Sequence, residues 1–168
     1  PLLAFPDWNK KFILDLDGSK YGRGCVLGQL HFPEGVDPPP EPRPDSVTNC
    51  DGGEFRPIAY MSVKSNAAQL RYPATWLEML TLAEAVAKFH PYLFSPRSKE
   101  EGFHEAWSDH HPLRTTARGV VSRNAMLDRW ALQISTYNLQ VRYRPGREAV
   151  VPDALSRAGF EHGTPPAG

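Results

Sequence analysis

Along this chain the hydrophobic period switches repeatedly between two and 3.6 residues, and each switch marks a change of secondary structure. Lys11 to Asp17 alternates Phe12, Leu14 and Leu16 with Ile13, Asp15 and Asp17, which predicts a strand whose second face turns acidic at its end. Arg23 to Leu30 is a second apolar run, reached through Gly18-Ser19-Lys20-Tyr21-Gly22, and Arg56 to Ser62 is a third. Thr75 to Phe89 has no Gly or Pro and carries Trp76, Met79, Leu80, Ala83, Val86 and Ala87 on one helical stripe. Phe103 to Asp109 reads as a fourth strand and Asn124 to Tyr137 as a second helix. Asn138 to Arg144 alternates again until Pro145-Gly146 ends it, and a last short helix starts near Pro152-Asp153. The order β-β-β-α-β-α-β-α predicts an α/β protein with a mixed sheet and flanking helices.

With 168 residues, 40% hydrophobic and 23% charged, the chain has the size and mix of one domain. Six of its 17 prolines crowd into residues 31–55. That segment, acidic and poor in apolar surface, is expected to be a mobile insertion within one domain spanning 1–157, and residues 158–168 a disordered tail. No run approaches the roughly 18 apolar residues of a membrane span, and Pro1 to Lys11 does not resemble a signal peptide. The expectation is a protein neither secreted nor bound to membrane. Two cysteines, Cys25 and Cys50, build neither a disulfide framework nor a four-Cys zinc site. Formal net charge is zero, yet residues 1–60 hold six Lys/Arg against nine Asp/Glu, whereas residues 112–157 hold eight Arg against three acids. The C-terminal third can therefore meet phosphates, or simply present a solvated basic face.

Four carboxylates recur at element ends: Asp17 closes the first strand, Glu78 lies in the first turn of the long helix, Asp109 closes the fourth strand and Asp153 opens the last helix. Strand ends of an α/β sheet are where ligands bind, and gathered carboxylates call for a hard cation, so a magnesium site is one reading. Each acid also has a bland explanation. Thr75 and Glu78 fit a capping box, Asp153 fits a first-turn acid favoured by the helix dipole, and Asp17 and Asp109 fit turn-forming aspartates.

Leu14-Asp15-Leu16-Asp17-Gly18-Ser19, Pro57-Ile58-Ala59-Tyr60, Tyr72 to Leu80, Ser108-Asp109-His110, Leu127-Asp128-Arg129-Trp130, Tyr143-Arg144-Pro145-Gly146 and Asp153-Ala154-Leu155-Ser156-Arg157 occur in this order. Together they resemble the RNase H domain of gypsy-class long-terminal-repeat retrotransposon polyproteins over about residues 1–157. The resemblance implies an RNase H-like fold with a mixed five-stranded sheet, and cleavage of the RNA strand of an RNA–DNA hybrid during reverse transcription. It implies two Mg²⁺ ions, roughly 3.5–4 Å apart in such chemistry, with Mn²⁺ as a substitute, held by Asp17, Glu78, Asp109 and Asp153. Asp17 would bridge both ions. RNA would be told from DNA by its 2′-hydroxyls. Ser19, Arg114, Arg118 and Arg123 are the candidate nucleic-acid contacts. The implied partner is the reverse transcriptase of the same polyprotein, and the implied location a cytoplasmic retroelement particle or the nucleus.

Gly18 and Pro152 depart from the family pattern, where Ala is usual, and residues 31–55 and 97–102 are longer than its connections. No histidine lies between Pro145 and Pro152, and His110 and His111 read as packing or surface residues. Two alternatives remain: a non-catalytic tether or domesticated interaction domain of the same fold, and a zinc protein using Cys25, Cys50, His104 and His110, which lacks any CxxC or HxxxH pair.

Overall fold

The computed structural model describes residues 3–18, 21–38, 52–94, 102–109 and 124–143. Strands β1 (Ile13–Gly18), β2 (Gly22–His31) and β3 (Glu54–Lys64) form an antiparallel meander. The chain then passes through a 3-10 turn at Gln69–Arg71 into helix α1 (Ala74–Lys88) and a single turn, α2 (His90–Leu93). Strand β4 (His104–Ser108) pairs parallel to β1, and after helix α3 (Ala125–Ser135) strand β5 (Leu139–Tyr143) pairs parallel to β4. The sheet order is β3-β2-β1-β4-β5. Parallel neighbours need a long crossover, which α1 and α3 supply, whereas the meander needs none. The expected mixed five-stranded sheet with helices is therefore present, while the last helix, near Pro152, lies outside the described residues.

Alternation along the strands sorts the core into two layers. Leu14, Leu16, Cys25, Leu27 and Ala106 point toward α1 and α3, where they bury Met79, Leu82, Val86 and Ile134. Ile13, Val26, Leu30, Phe55 and Trp107 form a second cluster on the opposite face. Because both faces of β1, β2 and β4 are covered, their central residues are buried almost without interruption.

Two sequence expectations change. Helix α1 starts at Ala74 with Pro73 as its N-cap, no side chain caps it, and its first turn holds no acid. Thr75 is thus already inside the helix, which removes the capping box and moves Glu78 into the second turn. Leu77 through Ala83 are all buried, more than one stripe, since the helix packs against both the sheet and α3, while Trp76 is half-buried and Ala87 exposed. The insertion is also shorter than residues 31–55: His31 ends β2, Glu54 opens β3, and Phe55 is core. Phe32 packs its ring against the backbone of Gly53, so the connection is tied down at its base. Residues 39–51 lie outside the described residues.

Candidate active site

The parallel register of β1 and β4 sets Ile13 beside Glu105, Leu14 beside Ala106 and Asp15 beside Trp107. Two more steps along both strands bring Asp17 level with Asp109, so two of the predicted acids sit at adjacent carboxyl-terminal strand ends. Both are half-buried. The third acid arrives from above. His104, Ala106 and Ser108 face α1, and Ser108 Oγ donates to Glu78 Oε2 at 2.9 Å. Glu78 is only 2% exposed, and a carboxylate in such a place needs hydrogen bonds to offset lost hydration. Ser108 supplies one, and thereby holds Glu78 over the end of β4.

The surrounding charge is ordered. The Arg23 guanidinium is committed to Glu84, and Lys11 and Arg142 both reach Glu105. Burial, followed by the negative charges of Asp15 and Glu78, pushes the Cys25 thiol well above its usual range. A thiolate is therefore disfavoured there, and His104 Nδ1 accepts a hydrogen bond from the Phe12 N–H at 2.9 Å. Both are engaged in the fold, which does not suit a zinc site.

Among the described residues no group of three or more His, Cys, Asp or Glu side chains is close enough to share a metal ion. The structure brings Asp17 beside Asp109 by register and seats Glu78 on Ser108, but does not gather the three into one ligating cluster. Their donors are all carboxylate oxygens, which is the chemistry that hard divalent cations select. Asp153, Ser19, Arg114, Arg118 and Arg123 lie outside the described residues, as do Cys50 and His110. Sequence reasoning missed Ser108, whose signal was its place on the helix-facing alternation of β4.

Among the described residues, no helix is long and apolar enough to cross a membrane. Residues 7–137 match the family described as the RNase H-like domain found in reverse transcriptase. A Pol polyprotein of the Drosophila melanogaster transposon opus is 35% identical over 156 residues, 93% of this chain. The chain spans only 13% of that relative's length. In fold, it resembles RNase H1 from Halobacterium salinarum, with a TM-score of 0.53 at 13% identity over 91% of this chain and 99% of the other. A foamy viral protease-reverse transcriptase, solved in complex with an RNA/DNA hybrid, gives a TM-score of 0.55 at 13% identity over 86% of this chain and 16% of that one. The chain belongs to the RNase H-like domains of reverse transcriptase, with relatives among the polyproteins of long-terminal-repeat retrotransposons, including the gypsy-type Tf2 elements of Schizosaccharomyces pombe.

Proposed function

We propose that this domain cleaves the RNA strand of RNA–DNA hybrids, beside the reverse transcriptase of its own polyprotein, with Asp17, Glu78, Asp109 and Asp153 holding divalent cations. The observation that carries the reading is the level placement of Asp17 and Asp109 at two parallel strand ends, with Glu78 held above β4 by Ser108. Bound Mg²⁺ or Mn²⁺ would lower the pKa of an attacking water and stabilise charge on the leaving oxygen. The chain's own part is positional. Asp17 and Asp109 present oxygens from rigid strand ends, Ser108 fixes the rotamer of Glu78, and the buried sheet beneath keeps these groups from relaxing apart. The membership of the family and the hybrid bound by the foamy viral neighbour support the substrate class.

The test is cleavage of an end-labelled hybrid in Mg²⁺ and in EDTA, by the wild type and by Asp109→Asn. The substitution should lower the rate at least about 100-fold, equivalent to roughly 2.7 kcal/mol. Its melting temperature in EDTA should be unchanged or raised, because one of several mutually repelling carboxylates has gone. A stable, fully active Asn variant sinks the assignment. A wild type that binds hybrid without cutting it would make the domain a tether.

A further inference from the structure

Arg23 is an unusual residue to find in the core of this sheet, being fully buried on the helix-facing side of β2, in line with Cys25 and Leu27. Its three guanidinium nitrogens make five hydrogen-bond contacts. Nε donates to Glu84 Oε2 at 3.0 Å, Nη2 to Oε1 and Oε2 at 2.9 Å each, and Nη1 to Ser65 Oγ at 3.0 Å and Gln69 Oε1 at 3.1 Å. A buried ion pair seldom stabilises a fold more than a well-packed apolar pair in its place, so its yield is better sought in geometry. Here the geometry is specific. Arg23 grips the chain at Ser65, where it leaves β3, at Gln69 in the 3-10 turn, and at Glu84 within α1. Gln69 and Asn66 brace one another, Gln69 Oε1 accepting from the Asn66 N–H at 3.0 Å and Asn66 Oδ1 from the Gln69 N–H at 2.9 Å. Glu78 lies on the stretch between these grips, six residues before Glu84, or roughly 9 Å of helix axis.

We propose that Arg23 is a positioning residue for Glu78: from β2 it pins α1 on one side of β1, while Ser108 pins it from β4 on the other. The sheet order β2-β1-β4 places the two tethers on opposite flanks of the strand that ends in Asp17. With both in place α1 can neither slide nor roll over β1, and the position of Glu78 over the sheet's end is set. The inference rests on the reading of Glu78 as a site carboxylate. A displacement of about 1 Å in such a group can lower a rate roughly 100-fold.

The experiment uses Arg23→Lys, which keeps the charge and loses the fork, and Glu84→Gln, milder because Glu84 is partly exposed. On a labelled hybrid both should lower kcat, Arg23→Lys by about tenfold or more, with KM within about twofold, since a transition-state interaction and not substrate binding is impaired. Both should also raise the Mg²⁺ concentration giving half-maximal rate. The readout independent of activity is a double-mutant cycle in EDTA between Glu84→Gln and Ser108→Ala, followed by thermal unfolding. Separate tethers on a helix free to adjust give additive shifts, whereas a shared seat gives non-additive ones. Should Arg23→Lys fail to fold, Glu84→Gln carries both measurements. Variants that melt lower but keep kcat and Mg²⁺ dependence, with additive shifts, overturn the proposal. A wild type inactive on every hybrid overturns the nuclease reading instead, and the EDTA cycle then decides alone whether the two tethers share a seat.

Discussion

Gly28 stands where the pairing of β2 with β3 slips by one residue, Leu27 facing Ala59 and Gly28 facing Pro57. A Cβ there would run into the ring of Phe55 and come within 2.7 Å of the Arg56 carbonyl oxygen. Since backbone cannot step aside as a side-chain tip can, Gly28→Ala should destabilise the protein by about 1–3 kcal/mol in urea unfolding. An unchanged midpoint would show that β3 moves more freely than its register suggests. His31, at the end of the same strand, titrates below the ordinary imidazole range, chiefly through burial and then through Lys10 and Arg56. The folded state thus disfavours the imidazolium. Just below about pH 6.5 the unfolded chain binds more protons, and the contribution of a neutral His31 is lost as pH falls through its folded value. The stability difference between wild type and His31→Gln, followed by urea unfolding from pH 7 to pH 5, should shrink or reverse toward acid. A difference that widens would contradict the sign.

Helix α3 shows how an element boundary is written locally. Asn124 holds an extended backbone and its Oδ1 accepts from the N–H groups of Met126, at 2.9 Å, and Leu127, at 3.2 Å. Asn124→Ala should cost about 0.5–2 kcal/mol, readable as a lowered melting temperature, and Asn124→Asp should restore most of it. Such boundaries were legible in the sequence because a cap, a period of two or a period of 3.6 is a property of neighbours along the chain. All five strands and the two long helices follow from it. The turns at Gln69–Arg71 and His90–Leu93 were not legible, being too short to show a period. The site was legible only in part. Thr75 and Glu78 have capping-box spacing, and only the tertiary seat of Glu78 on Ser108 shows that the spacing is not used that way. Arg23 read as the edge of an apolar run, since nothing near it in sequence reveals Glu84, 61 residues on.

At the scale of the molecule, zero net charge leaves no general attraction for a nucleic acid, so binding must rest on local cations. If Arg114, Arg118 and Arg123 each neutralise one phosphate, hybrid affinity should fall with salt on a log–log slope of about 2.7, and Arg118→Ala should reduce that slope by about 0.9. Binding indifferent to salt would exclude the electrostatic contact. The parallel pairing of β1 with β4 carries a further consequence, for the order of events as the chain is made. The Phe12 N–H meets His104 across 92 residues, so β1, although it leaves the ribosome ahead of the rest of the sheet, waits through the meander, the proline-rich connection and all of α1 for its second neighbour. Contacts this distant are slow to form. Asp17 therefore becomes part of a two-strand edge only after Asp109 has been synthesised, and a nascent chain carries its first acid long before the edge that the proposed nuclease would need exists.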